Sequence, residues 1–149
     1  MIGNLLVLSL DFPPLYTVHE SFLLIRRAII HYNHVNIAVL HYMMRNPILI
    51  RSIEYNDNRL SLYCASHGKC SITGKILEIG NIHCHHKIPY SISHDDSYVN
   101  LILICQEAHI LIHAVNSEVI QHYKSLLNLN AQQIGKINKL RKLLNLADI

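Results

Sequence analysis

A chain of 149 residues has room for one domain of ordinary size, or a small domain with an appendage, and excludes a second large catalytic domain. It is 50% hydrophobic and 15% charged, a balance that can bury a core and excludes a charge-driven disordered chain. A net charge of +3 is too mild to announce a polyanionic partner by itself, whereas 12 histidines are an anomaly, since imidazole is both a metal ligand and a proton carrier near neutral pH.

Residues 1–18 hold a strand-like apolar run, Leu5 to Leu10, and then Asp11-Phe12-Pro13-Pro14, which must turn. The run is short, with no basic residue before it and no cleavage site after it, so secretion is not expected. Cys64, Cys70, Cys84 and Cys105 are therefore read as reduced thiols of a cytoplasmic protein. From His19 to Met44 the pattern is helical and apolar nearly all round, and Arg45-Asn46-Pro47 ends it. Arg26, Arg27, His31, His34 and His41 lie inside this stretch and argue against a membrane span. A helix apolar on more than one face predicts self-association or partner docking through residues 19–44. Residues 1–45 are accordingly set apart as an N-terminal helical segment, and residues 46–149 as the main domain.

Residues 51–69 mix charge with turn formers, and His67-Gly68-Lys69 turns the chain. Ile82 to Ile88 predicts a strand, Ser91 to Tyr98 a polar loop, Leu101 to Cys105 a second strand and Gln106 to Ala114 a helix. Two helices close the chain, one opened by Asn116 or Ser117, the other by Asn130 with Gln133 at capping-box spacing.

The chemistry concentrates in two clusters. His83-Cys84-His85-His86 lies on the first strand, and His109 and His113, four apart on a helix, project from one face and can grip a single ion. Either cluster alone is weak, since a polar strand or a pair of ordinary helix histidines accounts for it. Together, bridged by a strand of the right length to fold the helix back on the first strand, they point to a metal site. Adjacent strand residues face opposite ways, so His85 and His86 point to opposite sides of the strand.

The order Cys70, His85-His86, Pro89, Tyr98-Val99-Asn100-Leu101, Cys105, His109, His113 resembles the HNH endonuclease pattern. More narrowly, it resembles the HNH domain at the C-terminus of bacterial group II intron-encoded reverse transcriptase/maturases. The matching text includes Met44-Arg45-Asn46-Pro47, Glu54 to Arg59, Gly68-Lys69-Cys70, His109 to Ala114, Leu126 to Leu129 and Lys139 to Leu143, over roughly residues 42–149. The resemblance implies an α+β fold, a ββα-metal (His-Me finger) core with an N-terminal helix and C-terminal helices. It implies one divalent ion, Mg, Mn, Zn or Ni, on His85, His109 and His113, with His86 as general base and Asn100 constraining the base's loop. Cys70 and Cys105 have Thr73 and Ala108 where the family has second cysteines, so a structural four-cysteine zinc site is not expected. The loop Ser93-His94-Asp95-Asp96 stands where relatives have Gly-Gly, and the long polymerase body is missing, which suggests a truncated intron-encoded protein.

From Gln121 to Ala147 every charged side chain is basic: Lys124, Lys136, Lys139, Arg141 and Lys142. On their own these read as a solvated helix face. Beside a nuclease site they, with Lys87, predict phosphate contacts. The expected activity is metal-dependent DNA cleavage, with intron RNA or a maturase body as further partners and no membrane. The competing readings are an inactive nucleic-acid-binding remnant and a small structural metal-binding domain.

Overall fold

Residues 35–149 are described by the structure, a computed structural model, and in them six helices surround a two-stranded antiparallel sheet, an α+β arrangement. Helix α1 (Ile37–Arg45) starts at Asn36, whose side chain accepts from the backbone N–H groups of Ala38 and Val39, and it ends at the expected Arg45-Asn46-Pro47. Its Val39, Leu40 and Met43, with Val35, enter the same core as Leu60, Tyr63, Leu103 and Leu111. Residues 35–45, on the N-terminal side of the 45/46 boundary expected from the sequence, thus contribute to the same core as the residues that follow it. The run Leu5 to Leu10 and residues 19–34 of the expected helix lie outside the described residues, and with them most of the expected self-association surface.

Helix α2 (Ile53–Ala65) occupies a stretch whose composition reads as charge and turn formers. It is opened by Ser52, whose Oγ accepts from Tyr55 N–H at 3.0 Å. Its buried stripe is Tyr55, Asn56, Arg59, Leu60, Tyr63 and Cys64, spaced as a helix requires, but two of the six are polar and mask the periodicity. Both polar members have backbone to satisfy. Asn56 clasps the N–H and C=O of Ile48 (2.8 and 3.2 Å), and Arg59 donates to the carbonyls of Met43 and Asn46 at the end of α1. Gly68 then turns the chain at φ +68°, where a Cβ would meet the Tyr63 hydroxyl at 3.0 Å, so the tight turn and the buried tyrosine both call for glycine.

Strands β1 (Ile82–His86) and β2 (Leu101–Cys105) pair antiparallel, His85 opposite Ile102 and His86 opposite Leu101. The loop between them holds one short helix, α3 (Tyr90–Ser93). Helix α4 (Gln106–His113) follows β2 without a break, and Asn81 caps its first turn by accepting from Gln106 N–H at 2.7 Å. Helices α5 (Ser117–Leu127) and α6 (Ala131–Leu143) start at Asn116 and Asn130, with the capping box of Asn130 and Gln133 formed as expected. Among the described residues no helix is long and apolar enough to cross a membrane.

Arg141 corrects the expectation of a phosphate contact. It is 2% exposed, and its guanidinium donates to the carbonyls of Leu111, Ile112 and Ala114 at the end of α4 and to that of Ala147. Buried cations are tolerated where carbonyls and a helix C-terminus satisfy them, and here the site bearing His109 and His113 is what Arg141 braces.

Candidate metal centre

Strand alternation sends His83 and His85 to the face of the hairpin covered by α4, and Cys84 and His86 towards α2. On the first face the His85 ring packs edge-on against His109 (centroids 5.3 Å) and His113 (5.1 Å), and His83 stacks on His109 at 4.7 Å. Each of His85, His109 and His113 offers a ring nitrogen, and these atoms lie within 4.8 Å of one another, so this group could hold a metal ion. In a tetrahedral site with bonds of about 2.1 Å the ligand nitrogens lie about 3.4 Å apart, so shifts of about 1 Å in the rings bring the three nitrogens onto one ion.

Nε2 of His85 is buried and has no hydrogen-bond partner among the described residues. Such an atom costs about 1–3 kcal/mol in a folded protein, and a ligand at that atom removes the cost. Burial first, and the neighbouring imidazoles second, push the His85 pKa from its usual 6.5 down to about 3, and the same causes bring His109 to about 4. His113 shifts the same way, from burial and then the Arg141 charge. All three rings are therefore neutral at physiological pH, with lone pairs available to an ion and no proton competing for them.

On the other face His86 is buried, stacked on Tyr55 (5.4 Å), packed against Tyr90 (5.5 Å) and paired through Nε2 with Asp96 Oδ1 at 2.7 Å. A carboxylate only accepts, so Nε2 carries the proton, which in the neutral ring leaves the lone pair on Nδ1. Asp96 is itself held by Ser52, whose hydroxyl donates to Oδ2, and by Asn58, which donates to its backbone carbonyl. Reading the loop Ser93 to Asp96 as a departure from a glycine turn passes over this carboxylate. The signal available was an acidic residue within ten positions of a histidine, too common to single it out.

Asn100 closes the loop that carries these groups. Its Oδ1 accepts from Ile88 N–H (2.9 Å), and its Nδ2 donates to the carbonyls of Ile88 (3.1 Å) and Asp95 (2.9 Å). His94 adopts φ +49°, the left-handed conformation that glycine takes more readily, at some local strain.

His85, His86 and His113 open together into one cavity of about 420 Å³, many times the roughly 30 Å³ share of a liquid water. Arg51 and Tyr90 also line it. Of the expected phosphate contacts, Lys139 is exposed, Lys124 is half-buried, and Lys142 is exposed and pairs with Asp148 at 3.2 Å. The ammonium groups of Lys136 and Lys87 donate to the carbonyls of Ser71 and Val99. Cys70 and Cys105 are buried free thiols, and the Cys70 sulfur accepts from Thr73 N–H at 3.4 Å. Compared with known proteins, the chain matches no family model and no curated protein.

Proposed function

We propose that the chain is a metal-dependent DNA endonuclease of the HNH type, in which the β1–β2 hairpin and α4 form a ββα-metal finger. The observation that carries this reading is the buried Nε2 of His85, unpartnered among the described residues, on a ring packed against two further imidazoles beside an open cavity. His85, His109 and His113 would hold one divalent ion, which would supply charge neutralisation at the phosphate. His86 takes the proton from the attacking water at Nδ1, while Asp96 fixes its tautomer and ring orientation through Nε2. Asn100 holds the loop on which Asp96 and Tyr90 sit, so that the base does not drift from the cavity.

Plasmid nicking measured with Mg, Mn, Zn and Ni, wild type beside His86→Ala, tests the proposal. Metal-dependent nicking lost in the variant supports it. DNA binding without nicking under every metal selects an inactive binding remnant, and loss of helical circular dichroism on chelation without any nicking selects a structural metal site.

A further inference from the structure

Arg51 lines the cavity that also carries His85, His86 and His113. Its guanidinium carbon lies 5.4 Å from the ring centroid of Tyr55 and 5.4 Å from that of Tyr90, and both tyrosines pack against His86. Arg51, the two tyrosines and the base thus form one packed block. The backbone below is equally restrained: Arg51 N–H donates to Ile48 C=O at 3.0 Å, in the turn that Asn56 clasps, and Ser52 next to it caps α2.

The three arginines of this core region are used differently. Arg59 and Arg141 are buried and donate to main-chain carbonyls at helix ends. Arg51 is half-buried, takes part in neither ion pair found among the described residues, and faces a cavity that none of the described carboxylate residues lines. Stacking on tyrosine engages the face of a guanidinium and leaves its N–H edge in plane, in the fork geometry that matches two oxygens of one phosphate. Two packed aromatic neighbours reduce the entropy lost when that fork closes on a ligand.

We propose that Arg51 grips the non-bridging oxygens of the phosphodiester that enters this cavity. The choice of a DNA phosphodiester as ligand rests on the nuclease reading above, whereas the phosphate-gripping role is tested without it. Arg51 then does two things: it anchors the strand electrostatically, and it stabilises charge that grows on the phosphate as water attacks.

Binding of a short fluorescein-labelled duplex, measured in chelator over a series of salt concentrations, reads the first role, and plasmid nicking with metal reads the second. Arg51→Met is expected to flatten the slope of log Kd against log salt by about 1, the loss of one phosphate contact. It is also expected to slow nicking about 100-fold with zinc or nickel affinity unchanged, and Arg51→Lys to fall between, keeping the charge without the fork. An unchanged slope, or wild-type nicking in the Met variant, overturns the proposal. Absence of nicking in the wild type removes the nuclease reading, and the salt slope then decides on Arg51 alone. If the Met variant fails to melt cooperatively, Arg51→Lys carries the test: about 10-fold slower nicking at an unchanged melting temperature supports the role, and an unchanged rate overturns it.

Discussion

Replacing His85 by Leu should make the metal-free protein more stable and abolish its response to metal. His85 is 6% exposed, and its Nε2 lacks a hydrogen-bond partner, so the native imidazole bears an uncompensated desolvation cost of about 1–3 kcal/mol. Leu is close in size and has no polar atom, which removes that cost. For a chain of this length about 2–4 °C accompanies each kcal/mol, so the melting temperature in chelator should rise by roughly 3–10 °C. The wild type should gain about 2.7 kcal/mol from an ion at 100 times its Kd, and His85→Leu nothing. Acid separates the two further. The folded pKa of His85, about 3, lies below the usual 6.5, so as pH falls the unfolded chain takes up the proton first. Stability is unaffected above about pH 6.5 and is lost progressively below it, by roughly 2 kcal/mol at pH 5 from this group. His85→Leu should lack that component. Calorimetric melts in chelator at about pH 7.5 and about pH 5, with and without zinc or nickel, measure all of it; a Leu variant less stable than wild type in chelator, or one that still gains from metal, would refute the account of His85 as a ligand held at a cost.

His86→Ala should lower nicking about 100- to 10,000-fold while metal affinity by calorimetry stays near wild type, since this ring faces Asp96 and not the other three histidines. Asp96→Asn should cost about 10- to 100-fold in nicking rate, again with metal affinity retained, because the amide can present an N–H to Nε2 and invert the tautomer. Arg141→Met should destabilise by about 3–5 kcal/mol in urea unfolding, leaving the carbonyls of Leu111, Ile112 and Ala114 unsatisfied, with a change in the salt dependence of DNA binding that follows only from lost folding. Lys139→Met, at an exposed position, should do the opposite: melting within about 0.5 kcal/mol of wild type and a flatter salt slope.

Several features follow from the sequence because they are local. The strand Leu101 to Cys105, the helix from Gln106 and the capping box of Asn130 and Gln133 need only short-range periodicity and cap chemistry, and each stands where the residues predict it. His109 and His113 share a face because a helix repeats near four residues, and opposite facing of His85 and His86 follows from strand alternation. What lies beyond local spacing only the tertiary structure decided. The helix Ile53–Ala65 is hidden in the sequence because Asn56 and Arg59 occupy its buried stripe, and they can do so only because backbone groups of residues 43–48 come within reach. Arg141 reads as one more cation in a basic tail until the folded chain surrounds it with the carbonyls that end α4. Asp96 beside His86, and Arg51 against Tyr55 and Tyr90, are meetings of residues from different elements, selected by the satisfaction of buried polar groups in the first case and by cation–ring contact in the second, which no periodicity in the chain records.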